Sequence, residues 1–365
     1  MPSSAQIFLS VFVVCLAAMP AFGNTLPMIT DVVVEARGDT LVIEFDLADP
    51  DGDEMTVLLF AAGTDLALPP DEPGVVGDIG TGIFSGPGKK ITVSLSEVRE
   101  GAAAPFIPRL LAHDGKGLGG EMISIKSEGG PDFMIDKYEI TNAQFAAFMR
   151  SDGYERMEFW IIDDGSIEVV ETGWNYAGRF GWIAPRHWDS TVDPPWSTDP
   201  KSGSACSPVL GISWFEAYAY CKWAGRRLPT SGEWVESAGT REAQYPWGES
   251  FAPGASPPLF NLANIKYGYS GYESGGFTSD GSQYAAPVGS YSPRGDSRLG
   301  LVDVYGNVWE WCAEAVTVVD YGTYSCATRP LRGGSWATSA AELKDPSRDL
   351  CPLYRIDTAG FRCAR

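Results

Sequence analysis

The sequence predicts a two-part protein of α+β class, in which an all-β sandwich domain precedes a compact, loop-rich domain. Short runs rich in Val, Ile, Leu and Phe fill residues 31–126. Capped helices and dense aromatic residues begin after residue 132, and the intervening "KSEGGPDF" has the composition of a linker. We therefore divide the chain into an export signal (1–23), a β domain (24–126), a linker (127–131) and a second domain (132–365).

The first 23 residues have the pattern of an export signal. "IFLSVFVVCLAAM" is an apolar core of signal length, although no Lys or Arg precedes it, and "AFG" before Asn24 supplies small residues for cleavage. A membrane-spanning helix needs about 20 apolar residues, so this segment is short for an anchor. We expect a secreted or periplasmic protein that is not inserted in a membrane after cleavage.

The β domain is predicted from five apolar runs. Glycine, proline and aspartate separate them, and no helical period is present, which is typical of an immunoglobulin-like sandwich. The runs are "DVVVEAR", "TLVIEFDL", "MTVLLFA", "KITVSL" and "FIPRLLAH". "DPDGDE" at Asp49–Glu54 begins like an EF-hand loop, but Gly52 comes too early and no helices flank it. We interpret it as a solvated hairpin tip, with calcium binding as the alternative.

Helices in the second domain are predicted from their capping residues. Thr141 precedes "NAQFAAFMR", in which Phe145 and Phe148 share one side. Two later segments begin with a Ser or Thr followed three residues on by Glu, and each closes at a glycine. They start at Ser213 and Thr230 and close at Gly225 and Gly239. The remaining long loops need support from disulfides, metal ions or tryptophan packing.

Charge and cysteine content restrict the partners and the compartment. The 47 acidic residues outnumber the 27 Lys and Arg residues, which gives a net charge of -20. Nucleic acids and anionic membranes need a basic face, so we expect neither as a partner. Six cysteines follow the signal, and an even number in an exported chain suggests disulfides. Buried free thiols are the alternative.

Seven motifs occur in the order found in a known family. The second domain, from about Asp132 to Arg365, resembles the formylglycine-generating enzyme family, also called the sulfatase-modifying factor family. The resemblance implies a variant of the C-type lectin-like fold, with little regular secondary structure and with calcium ions that order its loops. The motifs are "FMIDKYEITNAQFAAFM", "PVLGISWFEAYAYCKWAGRRLPTSGEWVESA", "YPWGE", "APVGSY", "GLVDVYGNVWEWC", "LRGGSW" and "GFRCAR".

The resemblance implies two calcium sites. In the second site of the family, the matching ligands are the side chains of Asp303 and Glu310 and the carbonyls of Gly306 and Val308. Calcium accepts such a mixture of hard oxygens. The alternative is a two-turn amphipathic helix with solvated acids. The first site would use the side chains of Asn264 and Asp280 and the carbonyls of Ile265 and Ser282, although Asp280-Gly281 is also a common turn.

The resemblance also points to a missing redox centre. The enzymes of this family bind copper(I) through two cysteines that follow the RGGS motif, and thiolates are the soft ligands that copper(I) prefers. At the matching positions this sequence has Thr338 and Leu343, while Ser335 of the motif is retained. We therefore expect no copper and no catalytic residue at this place. Cys326 or Cys351 could approach the site from elsewhere in the chain.

The cysteines are expected to pair instead. Cys221 and Cys363 match positions that are joined in the family, and that bond would close a loop of over a hundred residues. For the remaining residues we expect the pairs Cys312–Cys326 and Cys206–Cys351. If all six are bonded, no thiolate remains for copper.

Two other chemistries are not supported by the residues. An iron-dependent branch of the family needs several histidine ligands, whereas this chain has only His113 and His187, in different predicted domains. No G-x-S-x-G nucleophile elbow follows a strand. The first hypothesis is therefore a calcium-stabilised, non-catalytic binding or structural module for a peptide, protein or glycan, using aromatic loops such as "GRFGWIAPRHWDS" and "YGYSGYESGGF". The alternative is a formylglycine-generating oxidase, or another oxidative chemistry on the same scaffold.

Overall fold

The computed structural model describes most of the chain after residue 24. It describes residues 25–64, 67–98, 106–115, 117–127, 129–162, 173–239, 245–246, 282, 284–320, 325–338, 342–344 and 346–365. The predicted signal, 1–23, lies outside these residues. Within them, no helix combines the length and the apolar character that crossing a membrane requires.

The first part of the chain consists of strands that form two antiparallel sheets. One sheet has the order β1-β2-β7-β5, and the other has the order β4-β3-β8-β9, with β6 also paired to β3. Five of these strands confirm the five apolar runs predicted from the sequence. The strands are β1 (Met28–Arg37), β2 (Thr40–Ala48), β3 (Met55–Ala61), β4 (Ala67–Leu68), β5 (Val75–Gly77), β6 (Gly80–Ile83), β7 (Gly86–Ser94), β8 (Pro108–His113) and β9 (Leu118–Gly120).

One hydrophobic core joins the two sheets. Strand β3 alternates buried and partly exposed residues, so Val57 and Leu59 point inward, and Phe45 of β2 and Ile91 of β7 reach the same core from the other sheet. This alternation is the period expected of a half-buried strand. Burial of these side chains provides the stability of this part, because no cysteine lies in the described residues before Cys206.

The "DPDGDE" turn is exposed to solvent apart from its first residue, as predicted, because Pro50, Asp51, Gly52 and Glu54 are exposed. Asp49 is 6% exposed, and its carboxylate accepts the backbone N–H groups of Asp51 and Asp53 at 3.0 Å each. The turn joins β2 to β3, which lie in different sheets, so the expectation of a hairpin was wrong. Oxygens of Asp49, Asp53 and Asp114 lie within 4.8 Å of one another.

The second part begins with a hairpin and continues through capped helices. β10 (Met122–Ile125) pairs with β11 (Phe133–Asp136), so the predicted linker lies between two paired strands. The three predicted capping residues are confirmed: Thr141, Ser213 and Thr230 each accept a hydrogen bond from the backbone N–H of the third helical residue. The helices are α1 (Asn142–Arg150), α2 (Gly173–Phe180), α3 (Trp214–Trp223) and α4 (Ser231–Ala238).

A small mixed sheet and an aromatic core hold the second part together. The sheet has the order β16-β15-β12-β17, and a separate hairpin pairs β13 with β14. Phe145 of α1 stacks on Tyr220 of α3 at 5.6 Å, and Phe361 packs edge-on against both rings. The strands are β12 (Trp309–Trp311), β13 (Val318–Asp320), β14 (Ser325–Ala327), β15 (Arg329–Arg332), β16 (Ser347–Leu350) and β17 (Ala359–Gly360).

Buried polar contacts join the two parts. Lys137 donates to the buried Glu121 at 2.8 Å. Arg226 donates to Asp136 at 2.6 Å and to the backbone carbonyl of Pro27 at 3.1 Å. These charged groups are paired away from water. Separation of the two parts would therefore leave them without partners or expose them to solvent.

Candidate functional site

The stretch before β12 is an irregular loop. Asp303 and Asn307 have φ angles of 57° and 52°, and Gly306 has a φ of 89°. Three left-handed residues within five positions are incompatible with a right-handed helix. The two acids are also buried, since Asp303 is 6% exposed and Glu310 is 0% exposed. The alternative of a two-turn helix with solvated acids is therefore wrong.

Glu310 is held by a buried arginine and a tryptophan. Arg362 donates through Nε and Nη2 to the two carboxylate oxygens, each at 2.7 Å, and Trp234 donates through Nε1 at 2.8 Å. This side-on, two-bond geometry is the strongest arrangement for an arginine and a carboxylate. Arg362 satisfies its other donors on the backbone carbonyls of Asp136, Lys137 and Val302.

Two further carboxylates enter the same buried region. Asp303 accepts the backbone N–H of Gly289 through Oδ2 at 2.6 Å. Glu139 accepts hydrogen bonds from the side-chain amide of Asn307 at 2.6 Å and from the backbone N–H of Val308 at 3.3 Å. The loop is thus fixed by bonds to both of these acids.

The charges of this region do not balance within the described residues. Burial raises the pKa of Asp303 to about 7, and the charge of Glu310 adds to that shift. Burial also raises the pKa of Glu139 well above its usual range, as do the charges of Asp303 and Glu310. Arg362 compensates only one of the three carboxylates. A cation in this region would remove the imbalance.

The donor types in the loop fit a calcium ion. The side chains of Asp303 and Glu310 supply hard oxygens, and Gly306 permits the turn that exposes backbone carbonyls. Oδ1 of Asp303 accepts no hydrogen bond from the described residues, and Oε1 of Glu310 accepts only one, so both keep capacity for a metal ion. The assignment of Asp303, Gly306, Val308 and Glu310 as the ligands of a calcium ion stays a prediction.

The expected first calcium site falls mostly outside the described residues. Asn264, Ile265 and Asp280 all lie there. Ser282 is described and is partly exposed. The assignment of this site stays a prediction.

The loop of Ser335 is joined to the Asp303–Glu310 loop by two backbone hydrogen bonds. The N–H of Gly306 donates to the carbonyl of Gly333 at 2.8 Å, and the N–H of Trp336 donates to the carbonyl of Asn307 at 2.8 Å. An ion that orders the Asp303–Glu310 loop would therefore also fix the position of Ser335.

The structure brings together the two positions that matched the copper ligands. Both approach Gly334, whose φ is 81°: a Cβ placed there would lie 2.6 Å from Leu343 Cδ2 and 3.4 Å from Thr338 Cγ2. The Thr338 hydroxyl accepts the N–H of Ser335 at 2.9 Å, and Leu343 is fully buried in a core with Trp234. The Thr338 hydroxyl also lies 3.3 Å from the hydroxyl of Ser335, so the two side chains stabilise the loop by packing and by two hydrogen bonds.

A pocket of about 560 Å³ opens beside this loop. Its wall includes the indole of Trp309, and the guanidinium of Arg348 lies over that ring at 4.4 Å from the centroid. The volume lies in the usual range for small-molecule sites. Other lining residues include Ser335, Thr338, Glu342 and Thr358.

The comparison with protein families gives the same assignment as the motifs. A model described as "Sulfatase-modifying factor enzyme 1-like domain" matches residues 122–365. This chain belongs to the sulfatase-modifying factor family. The match includes the Asp303–Glu310 loop, the Ser335 loop and the pocket between them.

Relatives of the family carry three different names. A "Formylglycine-generating enzyme" of Thermomonospora curvata is 32% identical over 266 residues, covering 64% of this chain and 81% of that protein. A "Hercynine oxygenase" of Mycolicibacterium thermoresistibile is 33% identical, covering 64% and 51%. An "Inactive C-alpha-formylglycine-generating enzyme 2" of Mus musculus is 30% identical, covering 64% and 74%. Because these identities are so close, only the residues of the site can separate the three.

A solved structure also matches part of the chain. CarF aligns with a TM-score of 0.41 and 19% sequence identity, covering 65% of this chain and 87% of that one.

The six described cysteines are not joined by disulfide bonds in the structure. Cys326 lies within hydrogen-bond distance of Cys351. The pairs Cys312–Cys326 and Cys206–Cys351 stay predictions. Cys312 points to the carbonyl of Glu310 at 3.8 Å.

The other two expected partners are close neighbours. The sulfur atoms of Cys221 and Cys363 lie 3.1 Å apart in the buried core. A bond between them stays a prediction. Cys206 lies against Arg109 at 3.4 Å, at the contact between the two parts of the chain.

Sequence reasoning missed three charged residues of the site. Glu139 and Arg362 both lie inside quoted motifs, "KYEITN" and "GFRCAR", but nothing in their spacing indicated that they meet Asp303 and Glu310. Arg348 lies in no motif, and only the pairing of β16 with β15 brings it to Trp309. The presence of a charged residue inside a motif was the one signal in the sequence that could have indicated Glu139 and Arg362.

The two histidines belong to separate networks. His187 lies between two carboxylates, with Nδ1 2.9 Å from Asp199 and Nε2 2.7 Å from Asp357. His113 accepts the N–H of Gly115 at 2.9 Å in the first part of the chain. His187 therefore ties a loop to the C-terminal segment, and neither ring lines the pocket.

Proposed function

We propose that this protein is a non-oxidase member of the sulfatase-modifying factor family that serves as a calcium-stabilised binding or structural module. The observation that carries the proposal is the pair Thr338 and Leu343 at the positions of the copper ligands. Neither side chain offers sulfur, the Thr338 hydroxyl is hydrogen-bonded and Leu343 is part of the core. Copper(I) needs soft ligands, so copper is not expected here.

Calcium is the cofactor that the charges favour. Three buried carboxyl groups share one guanidinium, and burial together with the neighbouring carboxylates raises the pKa of Asp303 and Glu139. A cation would favour their ionised forms, and the donors are hard oxygens. When bound, calcium would compensate these charges and order the Asp303–Glu310 loop. The backbone hydrogen bonds of Gly306 and Asn307 would then also fix the Ser335 loop.

The proposed partner is a peptide, protein or glycan outside the cytoplasm. Two features support a ligand: the pocket of about 560 Å³ and the exposed aromatic surface near α2, where Phe180 stacks on Trp182 at 5.6 Å. The export pattern of residues 1–23 favours a secreted or periplasmic location. We also propose that the second part has the C-type lectin-like fold and that the sandwich before it is immunoglobulin-like.

The oxidase assay tests the proposal directly. The purified protein, with copper(I) and oxygen supplied, is incubated with a Cys-x-Pro-x-Arg peptide, and mass spectrometry measures the aldehyde. We expect none from the wild type, and conversion by the Thermomonospora curvata relative as the positive control. A Thr338→Cys, Leu343→Cys double variant shows whether restored thiols bind copper(I), followed by its ultraviolet thiolate absorption. Aldehyde from the wild type would overturn the proposal.

A second candidate is an oxidative activity at the adjacent thiols of Cys326 and Cys351. Their proximity favours it, although burial raises the pKa of Cys326 to about 12, which disfavours the thiolate that binds metals. Neither cysteine lines the pocket beside Ser335. If the wild type is active and Cys326→Ser abolishes the aldehyde, the second candidate replaces the first.

A further inference from the structure

Arg348 leaves one edge of its guanidinium without a hydrogen-bond acceptor. Its Nε and Nη2 atoms are both buried, and neither has a partner among the described residues. Arg362 uses the same two nitrogens to hold Glu310 at 2.7 Å each. Arg348 therefore has a carboxylate-binding edge for which the described part of the chain supplies no carboxylate. Buried donors without partners are rare in folded proteins and need a specific explanation.

The surroundings of Arg348 make the lack of a hydrogen-bond acceptor costly in free energy. Burial lowers the pKa of Arg348, which means that its charged form is poorly solvated. Its position over the Trp309 ring, at 4.4 Å, compensates for part of the lost hydration, because the ring face is negative. The ring supplies no hydrogen-bond acceptor in the plane of the guanidinium, so the Nε–Nη2 edge still lacks a partner.

The pocket beside Arg348 restricts the class of ligand. Its walls combine the Trp309 ring and Pro346 with the hydroxyl-bearing residues Ser335 and Thr358. Glu342 also lines the pocket and is exposed, so the wall carries a carboxylate as well as the Arg348 guanidinium. A molecule with one carboxylate and an apolar portion matches these walls in charge, polarity and size.

We propose that this pocket binds a small organic monocarboxylate, whose carboxylate pairs with Arg348 and whose apolar portion packs on Trp309. Because both nitrogens are buried, this pairing requires the Arg348 side chain to rotate so that the Nε–Nη2 edge faces the pocket. The inference deepens the proposed function, since it rests on the pocket being a binding site and names the chemical class of its ligand.

A matched pair of probes tests the carboxylate directly. N-acetylphenylalanine and N-acetylphenylalanine amide are each titrated into the full calcium-loaded protein, and chemical shifts of the tryptophan indole N–H signals are followed by NMR. The acid should bind saturably at millimolar concentration, and the amide should bind at least ten times more weakly. Acetate and inorganic phosphate are titrated in the same way. Acetate tests whether the apolar portion is needed, and phosphate tests whether the site binds any oxyanion.

Variants locate the site. Arg348→Gln should weaken binding of the acid by about tenfold or more, because a charge-assisted pair is lost, and Arg348→Lys should restore part of it. Arg156→Gln is the matched control, since Arg156 is also stacked on an aromatic ring, 4.6 Å from the centroid of Phe159, but is paired with Glu158 away from the pocket. It should leave binding unchanged.

Four results would contradict the proposed monocarboxylate site. Equal binding of the acid and the amide, no saturation by the acid, or an Arg348→Gln variant with unchanged affinity would overturn the inference. Phosphate binding tighter than that of the acid would also contradict it, because the site would then be a general oxyanion site. These failures are separate from a failure of the proposed function, which only the aldehyde assay reports.

Discussion

The buried centre around Arg362 and the pocket around Arg348 use the same side chain in opposite ways. Arg362 is fully buried, and it binds Glu310 and three backbone carbonyls. Arg348 is partly exposed, but its Nε and Nη2 atoms are buried and have no acceptor among the described residues. A complete set of partners indicates a structural role. An incomplete set at a pocket indicates that the missing partner comes from outside the chain.

The two regions also differ in the charge that they lack. The Asp303–Glu310 loop has more carboxylates than the described cations around it compensate, whereas Arg348 has no carboxylate partner. A cation would complete the first region and an anion the second. The bonds between Gly306 and Gly333 and between Asn307 and Trp336 connect them, so occupancy of one loop should influence the other.

The largest expected effect comes from breaking the complete network. Arg362→Met leaves Glu310 buried without its partner, and we expect the free energy of unfolding to fall by about 3–5 kcal/mol. Chemical denaturation of the full chain measures it. Arg156→Met, which removes an exposed pair with Glu158, is the control and should change stability by less than about 1 kcal/mol. A small effect of Arg362→Met would show that the two arginines do not differ in role.

Removal of calcium should have the next largest effect. We expect EDTA to lower the melting temperature of the second part and added calcium to restore it, with a stabilisation of about 2.7 kcal/mol at one hundred times the dissociation constant. Asp303→Asn should abolish this response. Asp49→Asn should keep it, which separates the loop from the acidic cluster of the first part. Identical melting curves with and without chelator would contradict the calcium assignment.

The effect of the chelator should depend on pH. Without metal, the folded-state pKa of Asp303, about 7, lies above the unfolded value of 3.8. The stabilisation that its protonated form contributes is fully present below about pH 4 and is lost as the pH rises through about 7. The melting difference between calcium and EDTA should therefore be larger at pH 8 than at pH 5.5. A difference that is constant over this range would argue against Asp303 as a ligand.

The smallest expected change is in the stability of an Arg348 variant. Arg348→Met removes an unpaired buried charge and keeps the apolar contact with Trp309, so the unfolding free energy should stay within about 1 kcal/mol of the wild type or increase. The same chemical denaturation experiment measures the unfolding free energy of Arg348→Met and of Arg362→Met, so that the two losses can be compared. A loss as large as that of Arg362→Met would assign Arg348 a structural role.

Much of the fold could be predicted from local sequence. The five strand runs follow from alternating apolar residues, and the helices of Thr141, Ser213 and Thr230 follow from caps that act within three residues. The family motifs also placed Thr338 and Leu343 together, and both do approach Gly334. The proximity of Cys326 and Cys351 could not be predicted in this way, because it depends on how β14 and β16 are placed in the fold.

The sequence by itself determined the family, the strand and helix segments, and the absence of sulfur at positions 338 and 343, because these depend on residue identity and short-range pattern. Only the tertiary structure decided which charges are balanced. Glu139, Glu310 and Arg362 come from distant segments, and burial together with the charges of Asp303 and Glu310 raises the pKa of Glu139 well above its usual range. Likewise, the unpaired edge of Arg348 exists only because β16 lies beside β15, which places a desolvated guanidinium over Trp309.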